Sequence, residues 1–168
     1  MAFEDKPLFV DDWPDEKERE RYRIQAHAYY SQFIDLRRES RQLHADYGKW
    51  LVASFLAVHA GAIFVLSQLR SGASAELLEV LASSAAWHVV GIVSILITGF
   101  MAWANFQFAE VIYIKWAQPA MLFRTDLWPN DAGRFNPVAA TMYAAVASGL
   151  VSLFSFIAGA HRVLAALG

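Results

Sequence analysis

The stretch that decides the fold is VVGIVSILITGFMAWA, residues 89–104. It lies within a longer run, from about residue 85 to 109, that contains no Asp, Glu, Lys or Arg. A helix needs about 20 mainly apolar residues to cross a bilayer core of roughly 30 Å. Residues 85–109 are therefore predicted to form a transmembrane helix.

Two further runs meet the same length criterion. Residues 50–69 carry no formal charge, and residues 137–160 open with a proline, which the first helical turn accommodates because that turn needs no N–H there. The share of hydrophobic residues, 57%, also exceeds that of ordinary soluble domains. A soluble bundle is the alternative for one run, but 168 residues hold too little protein to cover three. The sequence predicts an all-α polytopic membrane protein with three transmembrane helices.

Charge and cysteine content exclude several classes of protein. A formal net charge of -2 offers no basic field for nucleic acid, so the lipid bilayer is the expected partner. The absence of cysteine excludes disulfides and thiolate metal sites. The first fourteen residues carry four acids, the reverse of a secretory leader, so we expect no cleaved signal peptide.

A long charged helix is predicted ahead of the first span, at residues 14–49, after an N-terminal tail of residues 1–13. Asp12 to Glu16 provide a capping aspartate, a first-turn proline and acids at the positive end of the helix dipole. No proline or glycine follows until Gly48, so the helix is expected to continue into the first span. Apolar and small residues recur along it every three or four positions, a period of 3.5 residues.

The stripe formed by these residues predicts a partner helix, and two interpretations are open. The helix either packs on the protein's own cytoplasmic segments, or docks on another protein or a second copy. Aromatic residues where Leu and Ile would be expected, and Ser40 within the stripe, favour a heterologous contact over a dimeric coiled coil. The predicted docking residues are Tyr22, Tyr29, Phe33, Leu36, Leu43 and Tyr47.

Lysine and arginine positions give an expected orientation, because the cytoplasmic side of a membrane protein holds their excess. Basic residues concentrate before the first span and between the second and third. We therefore expect a cytoplasmic N-terminus in a bacterial inner (plasma) membrane. The connecting segments are then an external loop at 70–84, a cytoplasmic helix extension and loop at 110–136, and an external C-terminus at 161–168.

Small residues recur on one face of each span, and close backbone approach at such faces associates membrane helices. One intramolecular three-helix bundle would use three such stripes. The stripes are Ala53, Ala57 and Gly61 in span one; Gly91, Ser94, Thr98, Ala102, Asn105 and Ala109 in span two; and Thr141, Ala145, Ser148, Ser152, Ser155 and Gly159 in span three.

The polar residues predicted inside the membrane are His59, Asn105, Gln107 and Glu110, and such residues are functional candidates. His59 is expected near the middle of span one, but His88 in the outer leaflet. Haem needs two axial ligands facing each other at one depth, and this assignment gives no such pair within the chain. A buried neutral histidine bonded to a hydroxyl or carbonyl is the simpler interpretation. The alternative is that His59 lines a polar path in an oligomer.

No phosphate-binding loop, metal-ligand spacing or nucleophile elbow occurs in the sequence. No catalytic residue, cofactor or metal is therefore predicted. We expect a non-enzymatic accessory or scaffold subunit that docks helix to helix in a larger membrane complex, with other membrane subunits or copies of itself as partners. The alternative is a homo-oligomeric channel or membrane-perturbing effector gated by its cytoplasmic helix.

Overall fold

The structure, a computed structural model, describes residues 5–129 and 136–168, without the side chains of residues 40–47. These parts of the chain are helical and contain no strand; Phe9 and Arg124 form an isolated antiparallel bridge. The prediction of an all-α fold is confirmed. The α-helices are α1 (Glu16–Leu69), α2 (Ala75–Trp116) and α3 (Pro137–Leu167), and short 3₁₀ turns lie at Val10–Asp12, Pro119–Leu122 and Thr125–Leu127.

Three helical segments are long and apolar enough to cross a membrane: Gly48–Leu69, Ala75–Trp116 and Pro137–Leu167. They contain the three predicted spans. However, α2 begins at Ala75, so most of the predicted external loop at 70–84 is helix. The turn before it uses Gly72 at a φ of 80° and Ser74, whose hydroxyl accepts a hydrogen bond from the Leu77 N–H at 3.2 Å. The loop prediction was wrong there because this cap was not recognised.

The chain forms two compact units. The first contains Met1–His44 and Phe106–Val138, and the second contains Ala45–Asn105 and Ala139–Gly168. Each is described separately below.

The first unit is built around a small aromatic core. Val10, Trp13, Tyr22 and Ala26 are buried together, with Leu122 and Trp128 packed against them. Backbone hydrogen bonds join the N-terminal segment to the segment after α2, from the Val10 N–H to the Phe123 carbonyl at 2.9 Å and from the Thr125 N–H to the Leu8 carbonyl at 3.1 Å. The Asp15 carboxylate caps α1 by accepting from the Lys17 N–H at 2.8 Å.

Tyr22 is the centre of this core. Its hydroxyl lies 2.8 Å from the Met121 carbonyl oxygen and 2.9 Å from that of Arg124, so its one proton is shared between two backbone acceptors. Its ring lies 5.4 Å from each of the Trp13 and Trp128 rings, centroid to centroid. Tyr22, which was predicted to dock on a partner, is therefore buried against other residues of its own chain.

The remaining predicted docking residues divide into three groups. Phe33 is buried, with its ring 5.3 Å from that of Trp116. Tyr29 contacts Trp128 but stays 44% exposed, and Leu36 is half-buried. The side chains of Leu43 and Tyr47 lie outside the described residues. The first half of the stripe therefore packs on the chain's own segments.

The second unit contains the apolar helices. α2 and α3 meet along their predicted stripes, where the Thr98 and Ser148 hydroxyls lie 2.8 Å apart and the Asn105 side-chain amide donates to the Thr141 hydroxyl at 2.9 Å. In span one the predicted stripe of Ala53, Ala57 and Gly61 is exposed instead. The expectation that all three stripes join one bundle is therefore wrong for span one, because His59 and Leu66 occupy the inward face.

The Tyr22 hydroxyl gives a first prediction. Tyr22→Phe should lower the free energy of unfolding by about 1 kcal/mol, because two buried carbonyls lose their shared donor while the ring packing remains. Thermal denaturation of the full chain in mild detergent measures this. Tyr29→Phe, on the same helix but at a position 44% exposed, is the matched control and should change little. Equal melting temperatures for wild type and Tyr22→Phe would contradict the assignment.

The same hydroxyl has a pH signature. Burial, and secondarily the Asp126 carboxylate, raise the pKa of Tyr22 from 10.0 to about 12. Hydrogen bonds from Arg124 lower the pKa of Asp126, which keeps that carboxylate charged. The stabilisation is complete below pH 10 and is lost as the pH rises to about 12, because the folded state disfavours the phenolate. Absorbance titration should show a phenol that ionises at about pH 12, and this late phase should be missing in Tyr22→Phe.

Candidate functional site

A pair of histidines lies inside the second unit. His59 of α1 and His88 of α2 are 0% and 2% exposed, and their Nδ1 atoms lie 3.1 Å apart. The ring centroids are 5.3 Å apart with the planes at 66°. This is the geometry of a direct imidazole–imidazole hydrogen bond.

The third helix completes the cluster. His59 Nε2 lies 3.1 Å from the Ser152 hydroxyl, and Ser152 is itself 0% exposed. The Phe156 ring packs against both imidazoles, at 5.8 Å from His59 and 5.6 Å from His88. A polar group buried away from water costs several kcal/mol unless it is hydrogen-bonded, so this arrangement lets His59 exist among apolar helices.

Two glycines make room for the rings. A Cβ atom added at Gly91 would lie 2.0 Å from His59 Cε1, so the imidazole occupies the space that any other residue at 91 would fill. A Cβ at Gly159 would lie 2.9 Å from His88 Nε2. The adjacent Ser84 hydroxyl donates to the Gly159 carbonyl at 2.8 Å, which fixes the approach of α2 and α3. Gly91 and Gly159, which belong to the predicted stripes of spans two and three, therefore leave the space that the two histidine rings fill.

The prediction that no two histidines within the chain face each other was wrong, because the Nδ1 atoms of His59 and His88 lie 3.1 Å apart. It placed the start of span two near residue 85, which put His88 in the first turn of a helix that in fact begins at Ala75. At a rise of 1.5 Å per residue, His59 and His88 lie about 15 Å and about 20 Å from the turn between α1 and α2. The two imidazole side chains bridge this difference of about 5 Å along the helices.

The other predicted intramembrane polar residues do not join this cluster. Asn105 is hydrogen-bonded to Thr141 within the second unit, and the Gln107 side chain is exposed. Glu110 belongs to the first unit, where its Oε1 lies 3.6 Å from Arg37 Nε. A functional role for Asn105, Gln107 and Glu110 therefore stays a prediction, whereas Glu110 does contact the N-terminal part of α1.

The chemistry open to the pair follows from its tautomers. A neutral imidazole carries one N–H donor and one acceptor nitrogen, so an Nδ1–Nδ1 bond requires one ring protonated at Nδ1 and the other at Nε2. No group of three His, Cys, Asp or Glu side chains close enough to hold a metal ion occurs among the described residues.

No protein-family model, curated protein or solved structure matches this chain.

Gly91 provides a direct test of the site. Gly91→Ala should destabilise the protein by about 1–3 kcal/mol, because the new methyl group displaces the His59 ring from its hydrogen bonds. Gly61→Ala is the matched control: it makes the same change in a span, at an exposed position where a Cβ would meet nothing within 4 Å. Thermal denaturation in detergent compares the two. A Gly91→Ala protein as stable as Gly61→Ala would show that His59 does not occupy this space.

Proposed function

We propose that this chain is a non-enzymatic integral membrane protein that serves as an accessory or scaffold subunit of a larger membrane complex. The observation that carries the proposal is the exposed small-residue face of span one, Ala53, Ala57 and Gly61. Such faces let helix backbones approach closely, and lipid tails do not require them. A partner helix explains why the residues of this face are small as well as apolar.

The burial of the three spans supports this proposal. Only 11% of the most apolar stretch of span one is buried, against 33% of the corresponding stretch of α2 and 22% of that of α3. Polar side chains of the second unit pair with each other between its helices, at contacts such as His59–His88 and Asn105–Thr141. Its uncovered surface is mainly apolar, with large side chains such as Phe64, Phe100 and Phe154 exposed. That surface suits lipid and apolar helices.

The first unit supports the proposed orientation. Its N-terminal segment and its segment after α2 are hydrogen-bonded together at Val10–Phe123 and Tyr22–Met121, which supports a topology with both on one side of a bilayer. Lys and Arg are more numerous before the first span and between the second and third spans than in the other two connecting segments, which favours the cytoplasmic side of a bacterial inner membrane. We infer that α1 joins this cytoplasmic unit to span one. Tyr29 and Leu36 remain the accessible part of its predicted docking stripe.

A homo-oligomeric channel or membrane-perturbing effector is the weaker candidate. A pore between several copies is lined by continuous polar stripes on their outer surfaces. In the described spans the polar side chains His59, His88 and Asn105 face other helices of the same chain, and Gln107 is exposed. A pore between copies would lack most of its lining.

Single cysteines test the scaffold role, because the natural chain has none. Ala57→Cys, treated in native membranes with a thiol-reactive crosslinker, should capture one integral membrane protein in near-stoichiometric yield. The same protein should co-purify with the untreated wild-type chain in mild detergent. Val93→Cys, on α2 at a position 51% exposed, is the matched control and should capture no defined partner.

A bulky substitution then shows whether the contact matters. Ala57→Leu should reduce recovery of that protein by about tenfold, a loss of about 1.4 kcal/mol. Val93→Leu should leave the recovery unchanged. Crosslinking of Ala57→Cys only to other copies of this chain would favour the oligomeric alternative. Full recovery with Ala57→Leu would refute docking through this face.

A further inference from the structure

A groove of about 390 Å³ lies between α1 and α2 in the second unit, next to the turn that joins the two helices. Each of its walls is one face of a helix, because the lining residues follow the spacing i, i+3, i+4 and i+7, starting at Ile63 on α1 and at Leu78 on α2. Its volume is within the range of about 300–1,000 Å³ that is typical of ligand sites. The groove is therefore large enough to hold part of a small molecule.

The walls of the groove are mainly apolar. Leu66 and Leu81 are 8% and 5% exposed, and Ala82 and Ala85 leave space that larger side chains would fill. In a bilayer such a groove does not stay empty, because wall atoms without neighbours lose their dispersion contacts. Acyl chains are the apolar molecules that the surrounding bilayer provides.

Arg70 is the charged residue of the lining. It directly follows the end of α1, and its carbonyl accepts a hydrogen bond from the Ala73 N–H at 3.3 Å in the turn that contains Gly72. Its side chain is exposed, and no ion pair holds its guanidinium within the part of the chain that the structure describes. An arginine at the end of a membrane span places its alkyl chain on apolar surface and its charge at the headgroup level.

The groove has the polarity of one leaflet. It extends about 10 Å along each helix, since each wall covers seven residue steps at a rise of 1.5 Å. One leaflet of the hydrocarbon core is about 15 Å thick. Arg70 lies at the end next to the turn and Ile63 at the other end. A cation at the membrane surface is thus followed by apolar walls beneath it, which is the order of phosphate and acyl chain in a phospholipid.

We propose that the groove binds a phospholipid with an anionic headgroup. The phosphate accepts hydrogen bonds from the Arg70 guanidinium, whose paired N–H donors match phosphate oxygens, and one acyl chain lies between the two walls. Basic pockets between membrane helices bind anionic headgroups in this way.

The charges around the groove favour an anionic over a zwitterionic lipid. Arg70 repels the ammonium group of a zwitterionic headgroup, and the described residues that line the groove include no carboxylate to bind it. Glu76 and Glu79, in the first turns of α2, lie outside the lining. The site requires the membrane insertion proposed above, but it uses a different face of α1 from the docking face of Ala53, Ala57 and Gly61.

Native mass spectrometry tests the headgroup contact. The full chain is stripped of lipid in mild detergent and mixed with phosphatidylglycerol or phosphatidylcholine at equal concentrations. Wild type should retain phosphatidylglycerol about fivefold more tightly, because Arg70 attracts its net charge. Arg70→Gln should weaken this retention by about tenfold and remove the preference. Arg162→Gln is the matched control and should bind as wild type, since Arg162 lies at the same end of the unit, donating to Ser83 at 2.5 Å.

A second pair of variants tests the acyl-chain contact. Ala82→Leu should reduce the retention of both lipids, because the larger side chain takes the space of the acyl chain. Ala86→Leu makes the same change at an exposed position of α2 outside the lining, and it should retain both lipids as wild type does. Thermal denaturation in the same detergent shows which variants are folded.

A crosslinking measurement needs no variant. Wild type is reconstituted in vesicles of phosphatidylethanolamine and phosphatidylglycerol that contain phosphatidylglycerol with a photoreactive acyl chain. After illumination, peptide mass spectrometry should find the adducts concentrated at residues 63–85. Exposed apolar positions elsewhere, such as Phe100 and Phe154, should carry few of them.

Four results would overturn the proposal. Equal retention of the two lipids by wild type would show that Arg70 does not select the headgroup, and adducts spread evenly over the exposed apolar positions would show that the groove holds no particular lipid. Displacement of phosphatidylglycerol by an excess of inorganic phosphate would indicate a site for free anions. Retention of no lipid would leave the groove to another apolar occupant, such as a partner helix. A failure of Ala57→Cys to capture a partner would change none of these measurements, so the two proposals fail separately.

Discussion

The hydrogen bond between His59 and His88 is the constraint on which the second unit depends. Two imidazoles placed among apolar helices must satisfy their nitrogens within the protein, because lipid provides no hydrogen-bond partner. That requirement determines the surroundings of the pair. Position 91 has to be glycine to leave space for one ring, a serine at 152 meets His59 Nε2, and Phe156 closes the pocket.

The first unit obeys the same rule with a different group. Tyr22 brings a hydroxyl into an aromatic core, and the unit provides two backbone carbonyls for it at Met121 and Arg124. These carbonyls lie in 3₁₀ turns and their flanks, where helical hydrogen bonding leaves acceptors available. In both units one buried polar side chain therefore fixes how segments distant in sequence meet, while apolar contacts provide most of the burial.

Much of the fold could be predicted from the sequence. Uncharged apolar runs identify the spans, because a bilayer imposes a minimum length on every helix that crosses it. The stripes of α2 and α3 also meet as their spacing predicts, at Thr98–Ser148 and Asn105–Thr141. The start of α2 was missed because hydropathy averages over a window, whereas a helix start depends on a single cap such as Ser74.

The partners of each stripe were harder to predict. A stripe with a seven-residue repeat predicts that one face of a helix is covered, but it does not identify the residues that cover it. Trp128 and Met121 cover Tyr22, although they lie about a hundred positions away in sequence and no local pattern points to them. In the same way, the small residues at 53, 57 and 61 resemble those of α2 and α3, yet His59 turns the opposite face of span one inward. A buried polar group outweighed the small-residue pattern.

The backbone pairing between residues 8–10 and 123–125 has a consequence for how the protein is made. In the topology proposed above, these segments flank the first two spans, so they come together only after both spans have inserted and the chain has returned to its original side. A chain that inserts one of these spans and leaves the other outside separates the two halves of the aromatic core. Val10, Trp13 and Tyr22 are then left uncovered. On that proposed topology the first unit couples its own folding to correct insertion, and exposed aromatic surface marks a chain that has failed to insert.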